Sequence, residues 1–414
     1  MNKHWTGEKE YAIYLGEDKI VILEAALAGE ELQVKRHLTL KNPEGFKHGL
    51  VVNLENAFST LESLAESFFE MPYDRRGSFV VLGNPKLKAY SYSSSQYYQG
   101  AARQITSHEI RNIMSQTKSI ATLPLSEHIL QAVPESFVLN DMKDIRNPLG
   151  LEAERLGVNL KLFTMNFQDF RNIDRAFESA EIGVKSYFPK TMTTSEAVLT
   201  EEEKNLGAVL IDISGASTEF TLWRGGALQD MEICDKGENF LEEAISEKWE
   251  IDFPDAAKVK EKYASLEQEK NFEEELIPLI ERNGKGSYSI SRKVFQEAFL
   301  EIFKSWAEDI LSRADRFAKK GEVHFPHYVF TGEGAQLHGF MEYLNRQFSR
   351  VARIGLARHI DAPNELLVDP SMAPVLGIVR WLNKQGRDQS RLLAPVSFVE
   401  KAQAWARDWF SNYF

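Results

Sequence analysis

An α/β fold built from two similarly constructed halves is predicted by three features of the 414-residue sequence. Tyr11–Ala26 and Leu32–Leu40 alternate strand-like and polar residues on either side of a Gly29-Glu30 turn, a hairpin-rich pattern. Ala208–Ile213 is an unbroken apolar run suited to a buried strand, and Thr218–Trp223, Gly225-Gly226 and Ala227–Ile233 follow it as a second hairpin. Both openings lead into segments of helical periodicity, so the halves share one order of elements.

Taken in sequence, Asn53–Phe69 places Leu54, Ala57, Phe58, Leu61, Leu64, Ala65 and Phe68 on one helical face, with Glu55, Glu62 and Glu66 on the other. From about Ser78 to Leu162 the pattern shortens and mixes. Phe79–Leu82 reads as a strand, Tyr90–Tyr98 as a Ser/Tyr-rich stretch and His128–Leu139 as a strand. Thr106-Ser107-His108-Glu109 carries the spacing of a capping box at a helix start. This region is expected to be an inserted subdomain. Asn159–Met165 and Asn166–Ala180 restore a strand and an amphipathic helix. Residues 239–325 are expected to be mostly helical, with a turn at Asn283-Gly284-Lys285-Gly286, and to form a smaller lobe. Tyr328–Thr331, Gly332–Gly334 and Ala335–Phe348 then read as strand, turn and helix. Gly386–Pro395 is polar and aperiodic, the composition of a tether.

Sixty-one acidic residues against 49 basic ones give a net charge of −12, which excludes a broad nucleic-acid footprint. The single cysteine, Cys234, excludes an intrachain disulfide and a cysteine-rich zinc site, and suits a reducing compartment. Charges interrupt every apolar run at the start, so no signal-peptide region is expected there. No run of 18 apolar residues occurs, which leaves surface attachment as the route to a membrane. There is no Gly-x-Ser-x-Gly or His-Glu-x-x-His element, and no catalytic residue or metal ligand is assigned. His324 and His327 flank Phe325-Pro326, which keeps a regular helix from presenting both imidazoles together.

Three glycine turns follow apolar strands: one at Gly16, one at Asp212–Thr218 and one at Gly332–Gly334. Glycine there lets the backbone approach a phosphate, and it equally serves an ordinary tight turn. With their neighbours, these turns resemble the FtsA family of actin-like cell-division proteins over nearly the whole chain. His48–Glu55 is similar to the family segment before its first helix. Thr106 onward, His128–Phe137 and Ile145–Gly150 are similar to the subdomain that distinguishes the family from actin. Leu199–Gly207, Thr331–Gly339 and Asp369-Pro370-Ser371 with Gly377 complete the match.

The resemblance implies an actin-like, ribonuclease-H-like duplicated fold of two lobes, with an FtsA-type insert and a C-terminal amphipathic helix. It divides the chain into a first core subdomain (1–78 with 163–205), the insert (79–162) and a second core subdomain (206–238 with 322–383). A small helical lobe (239–321), a linker (384–396) and a terminal helix (397–414) complete the division. It implies a nucleotide site for ATP with Mg2+ at Gly16, Lys19, Asp212, Gly215, Ser217, Thr218, Lys260, Gly332 and Gly334. Several positions depart from the family: Tyr14 and Glu17 replace parts of the first phosphate turn, and Ser214, Ala216 and Glu219 alter the second. Lys190-Thr191 stands for Glu-Pro, Glu333 for a glycine and Lys258 for a glutamate; Lys236-Gly237 with Leu241 reduces a Gly-Gly-x-x-x-Thr element. ATP binding is therefore expected to be weakened or lost and hydrolysis negligible, because extra carboxylates oppose the stabilisation that phosphoryl transfer needs.

Ser397–Phe414 places Phe398, Val399, Ala402, Trp405, Ala406, Trp409, Phe410 and Tyr413 on one helical face. Its aromatic rings suit a lipid interface, and packing against the body or another protomer satisfies the same pattern. The resemblance favours membrane docking through Phe398, Val399, Trp405, Trp409, Phe410 and Tyr413. It further implies FtsZ as partner on the small lobe, where Ser291, Arg292 and Lys293 open a helix, although these charges also suit a solvated face. Self-association into filaments, further division proteins and a place at the cytoplasmic face of the division site follow from the same likeness. An actin-superfamily ATPase or kinase, and a type IV pilus assembly adaptor of the same fold, are the alternative functions.

Overall fold

The computed structural model describes residues 9–29, 31–69, 76–100, 102–266, 275–284, 286–324, 326–347 and 352–392. Strands β1 (Lys9–Leu15), β2 (Lys19–Ala28) and β3 (Glu31–Lys41) form an antiparallel meander. A small ladder of β4 (Phe46–Lys47) and β5 (Leu50–Val51) leads to α1 (Leu54–Phe68). Asn53 caps α1 by accepting from the Asn56 amide. Its Ala57, Leu61, Leu64, Ala65 and Phe68 are buried on the predicted face. Strand β6 (Arg76–Leu82) pairs parallel to β1.

The insert follows, with β7 (Lys88–Tyr97), β8 (Arg103–Gln104), α2 (Ser107–Ile120), β9 (Glu127–Leu139), β10 (Met142–Ile145), β11 (Glu152–Ala153) and β12 (Arg155–Asn166). Its main sheet runs β10-β9-β12-β7, and α2 packs on it through Ile113 and Met114. The capping box is closed, with Thr106 and Glu109 holding each other's backbone ends. Because β6 pairs with β1, the expected insert boundary at 79 falls inside a core strand, and the insert begins only after it.

The chain returns through α3 (Phe167–Ser179), β13 (Gly183–Pro189), α4 (Lys190–Val198) and α5 (Glu201–Leu206). The second half opens with β14 (Ala208–Ile213), β15 (Thr218–Arg224) and β16 (Ala227–Cys234), then α6 (Asn239–Lys248) and α7 (Phe253–Tyr263). A hairpin of β17 (Leu276–Ile280) and β18 (Ser287–Ser291) interrupts the region expected to be mostly helical. Five-residue strands are too short to stand out in a charged segment by periodicity. Helix α8 (Arg292–Lys320) buries Phe295, Phe299, Phe303, Trp306 and Ile310 along one face. Strand β19 (His327–Thr331), α9 (Phe340–Gln347), β20 (Ala352–Ile354), α10 (Asn364–Leu367) and α11 (Ala373–Leu392) complete the described chain. The helix expected over Ala335–Phe348 is a 3-10 turn at Glu333–Gln336 followed by the shorter α9.

The duplication is explicit in the two five-stranded sheets. The first runs β13-β6-β1-β2-β3, the second β20-β19-β14-β15-β16. Each has a central strand, β1 or β14, antiparallel to its hairpin partner and parallel to a returning strand. Helices α4 and α11 lie between the sheets in one apolar cluster, where Ala197 and Val198 meet Leu376 and Val379 with Val81 and Leu210. That layering brings the ends of β1, β14 and β19 to a common cleft.

The linker expected over 384–396 begins as helix, since α11 continues to Leu392. Asn383 anchors it, accepting from the Leu32 amide at 2.7 Å and donating to the Leu32 carbonyl at 3.2 Å. Lys384 reaches Glu201 at 3.0 Å. A helix so fixed carries Gly386 at a cost of about 1 kcal/mol.

Candidate functional site

The cleft is built from four strand-end turns. After β1, Gly16 N–H donates to the Lys19 carbonyl at 2.9 Å and closes the first. The side chain of Tyr14 swings over this turn: a Cβ on Gly16 would lie 2.9 Å from its ring, and one on Gly83 only 2.7 Å. The glycine that could admit a phosphate instead admits an aromatic ring. Gly83, in the turn after β6, is the counterpart of Gly332 after β19, and sequence reading missed it; the strand at Phe79–Leu82 was the available signal. Burial, followed by repulsion from Asp212, Glu333, Glu17 and Asp18, pushes the Tyr14 phenol far up, so it stays neutral.

The second turn follows β14. Ser214 N–H donates to the Ser217 carbonyl at 2.9 Å, and Thr218 Oγ1 donates to the Lys236 carbonyl at 2.7 Å. The chain leading into α6 covers the turn: Glu238 and Asn239 amides donate to the Ser214 and Gly215 carbonyls at 2.9 and 2.8 Å. A side chain on Gly215 would meet Asn239. In the third turn Gly332 has φ 84°, and a Cβ there would fall 2.4 Å from the Ile213 carbonyl and 2.6 Å from Asp212 Oδ1. Gly334 is held as closely against the Ile213 side chain. These glycines serve the contact between two turns of the protein itself.

Side chains bridge the lobes across the remaining space. Glu17 accepts from the Ala216 amide at 2.7 Å and from the Ser217 hydroxyl. Lys19 donates to Glu333 at 2.5 Å and to Ser371 Oγ at 2.8 Å. Lys190, first residue of α4, donates to Ser214 Oγ at 2.8 Å and lies 3.3 Å from Asp212 Oδ2, which also accepts from Thr194. Burial disfavours the Lys190 charge, yet Asp212, Glu219 and Glu17 outweigh it and hold its pKa above the ordinary lysine value. Burial and the nearby Asp212 lift Glu219 to about 7, against the pull of Lys190. Burial and Glu333 lift Asp18 to about 6, against Lys19. The void among Tyr14, Glu17, Lys19, Asp212 and Glu333 is about 10 Å³, room for about one water.

Of the predicted nucleotide residues, Lys19, Asp212 and Gly332 line this void, and Gly16, Gly215, Ser217, Thr218 and Gly334 shape its turns. Lys260 is directed elsewhere, into an ion pair with Glu238 and a second with Glu242 at 2.9 Å. Ser291 caps α8, accepting from the Val294 amide; Arg292 pairs with Glu275 at 2.5 Å and Lys293 is exposed. They sit together beside the β17–β18 hairpin, apart from the cleft. Phe398, Val399, Trp405, Trp409, Phe410 and Tyr413 lie outside the described residues. Among the described residues no group of acidic, histidine or cysteine side chains forms a metal cluster, and no helix is long and apolar enough to cross a membrane.

Comparison with known proteins adds the lineage. A family profile described as "Cell division protein FtsA" matches residues 209–377, and one described as "SHS2 domain inserted in FTSA" matches 88–164. FtsA of Escherichia coli K12 is 23% identical over 320 residues, covering 74% of this chain and 76% of the relative. FtsA of Borreliella burgdorferi is 22% identical, covering 88% and 90%. Among solved structures, the PilM-PilN type IV pilus biogenesis complex aligns with a TM-score of 0.63 at 14% identity, over 91% of this chain and 98% of the other. MreB5 of Spiroplasma citri bound to AMPPNP aligns at 0.52 and 12% identity, over 93% and 99%. These likenesses show an actin-like fold. The inserted profile falls on the subdomain that the sheet topology sets between β6 and β13, the core profile covers most of the second half, and with the curated relatives they establish that this chain belongs to the FtsA family of cell-division proteins.

Proposed function

We propose that this chain is a division-site adaptor that ties FtsZ filaments to the inner face of the cytoplasmic membrane and aligns with its own copies into filaments. Family membership supports FtsZ as the partner. The observation that carries the membrane half is the one-sided aromatic pattern of Ser397–Phe414, where rings bury in the interface and polar groups stay wet. Weak insertion repeated along a polymer gives durable attachment. The continuation of α11 to Leu392 leaves four residues before Ser397, so the segment starts close to the end of a helix anchored on the body.

In this adaptor the nucleotide cleft is degraded. Actin-fold neighbours are described as bound to ADP or AMPPNP. The residues here do not fit such a group. Tyr14 fills the first turn, Glu17 takes the donors of the second, and the space left is about 10 Å³. Five carboxylates, Glu17, Asp18, Asp212, Glu219 and Glu333, face two lysines, Lys19 and Lys190, in or beside this void, a field that repels phosphates. The adaptor's work is mechanical and needs no hydrolysis.

Co-sedimentation with liposomes and FtsZ tests the reading. The full chain brings FtsZ down with the vesicles, and the chain lacking residues 397–414 leaves it in solution. Equal pelleting of both forms rejects the assignment. Micromolar affinity for magnesium ATP by calorimetry rejects the degraded cleft.

A further inference from the structure

We propose that the Ser214–Ser217 turn is an anion cradle whose occupant is the chain's own Glu17, so that a tethered carboxylate clamps the two lobes where a diffusible phosphate-bearing ligand would otherwise sit. The inference rests on the reading of the cleft as degraded and says what replaces the ligand. The donors are those of an anion site. The Ala216 N–H donates to Glu17 Oε2 at 2.7 Å, and the Ser217 hydroxyl donates to Oε1. Such a pair, a turn amide with a hydroxyl, serves a carboxylate or a phosphate oxygen alike. Lys190 adds positive charge on the same turn, 2.8 Å from Ser214 Oγ.

Glu17 belongs to the turn after β1 and its donors to the turn after β14, so the bond joins the two duplicated halves. Only 9% of Glu17 is exposed. Two residues on, Lys19 crosses the same gap to Glu333 and Ser371. One short turn therefore sends two oppositely charged arms from one lobe to the other. Each arm meets a complementary partner: the carboxylate finds donors, and the ammonium finds a carboxylate and a hydroxyl. Because both arms are tethered, their local concentration is fixed by the fold and independent of nucleotide supply. Closure is built in.

Glu17→Ala empties the cradle. Acetate at about 100 mM, a carboxylate of the size removed, then raises the melting temperature of E17A by about 1 °C or more relative to equal chloride and leaves the parent chain unmoved. Glu17→Met keeps much of the volume and removes both acceptor oxygens, leaving the Ala216 N–H without its side-chain partner; hydrogen exchange at the Ala216 amide quickens about tenfold or more. A folded E17A that ignores acetate, or an E17M with unchanged exchange, overturns the clamp and leaves the degraded cleft standing. A parent chain stabilised by pyrophosphate or magnesium ATP overturns both.

Discussion

Lys190 Nζ stands 3.3 Å from Asp212 Oδ2 at the base of the cleft, each side chain only 4% exposed. Lys190 is the first residue of α4, where the helix dipole disfavours a cation and no side chain caps the helix. Carboxylates hold it there, and it in turn balances the charge of Asp212. Lys190→Met should therefore leave Asp212 buried and unpaired. We expect a loss of about 3–5 kcal/mol, read as a lower urea midpoint. Adding Asp212→Asn should recover much of it, giving a coupling well outside additivity.

The same network makes stability depend on pH. Burial raises the Glu219 carboxyl from an ordinary glutamate value to about 7, so the folded chain keeps a proton that the unfolded chain releases at lower pH. Stability from this group is full below the unfolded value of about 4.5 and falls as pH rises toward about 7. The loss amounts to about 3 kcal/mol. Asp18, raised to about 6, acts with the same sign. His128, whose pKa burial lowers, acts with the opposite sign in this window, so the Glu219 contribution is read as a difference: the melting temperature of the parent relative to Glu219→Gln should drop between pH 5 and pH 8. A difference between parent and variant that stays constant or rises over this window would contradict the assignment.

Tyr14 and Gly83 are coupled through space, since a methyl group on Gly83 would lie 2.7 Å from the ring. Gly83→Ala should cost about 1–3 kcal/mol in the parent background, as overpacking does. In a Tyr14→Ala background the ring is gone and the same substitution should be nearly neutral. Thermal melts of the four proteins decide it, and a constant penalty in both backgrounds would show that the strain lies in the backbone.

Individual strands and helices were readable wherever a single chemistry dominated. Ala208–Ile213 is apolar throughout because it is buried on both faces, and its limits match the observed strand. Asn53–Phe69 showed its helix by apolar periodicity, and Thr106 with Glu109 announced another because caps are local. The β17–β18 hairpin escaped because Leu276, Pro278 and Ile280 face outward while only Ile277 and Leu279 are buried, two residues too few to reveal a period. In the cleft, the glycine turns could be marked from the sequence, and Asp212 and Lys19 through the family resemblance. Their use could not: only the register of four turns shows that Gly16 and Gly83 flank a tyrosine, or that Glu17 meets the Ala216 amide. Lys190 was noted as a departure, and its partner, Asp212, became visible only in three dimensions.

The terminal segment offers a test that separates hydrophobic insertion from charge attraction. Lys401 and Arg407 are balanced by Glu400 and Asp408, so the segment brings no net positive charge to anionic lipid. On the membrane docking proposed above, binding would then draw on Trp405, Trp409, Phe398, Phe410 and Tyr413. Trp405→Glu with Trp409→Glu removes two rings and places carboxylates in the apolar face; vesicle partitioning should fall at least about tenfold. Salt should matter little, because screening acts on charge and leaves apolar burial intact. Pelleting on anionic vesicles that survives the double substitution, or that vanishes in about 0.5 M salt, would mean that basic residues such as Arg387 and Arg391 carry the attachment instead.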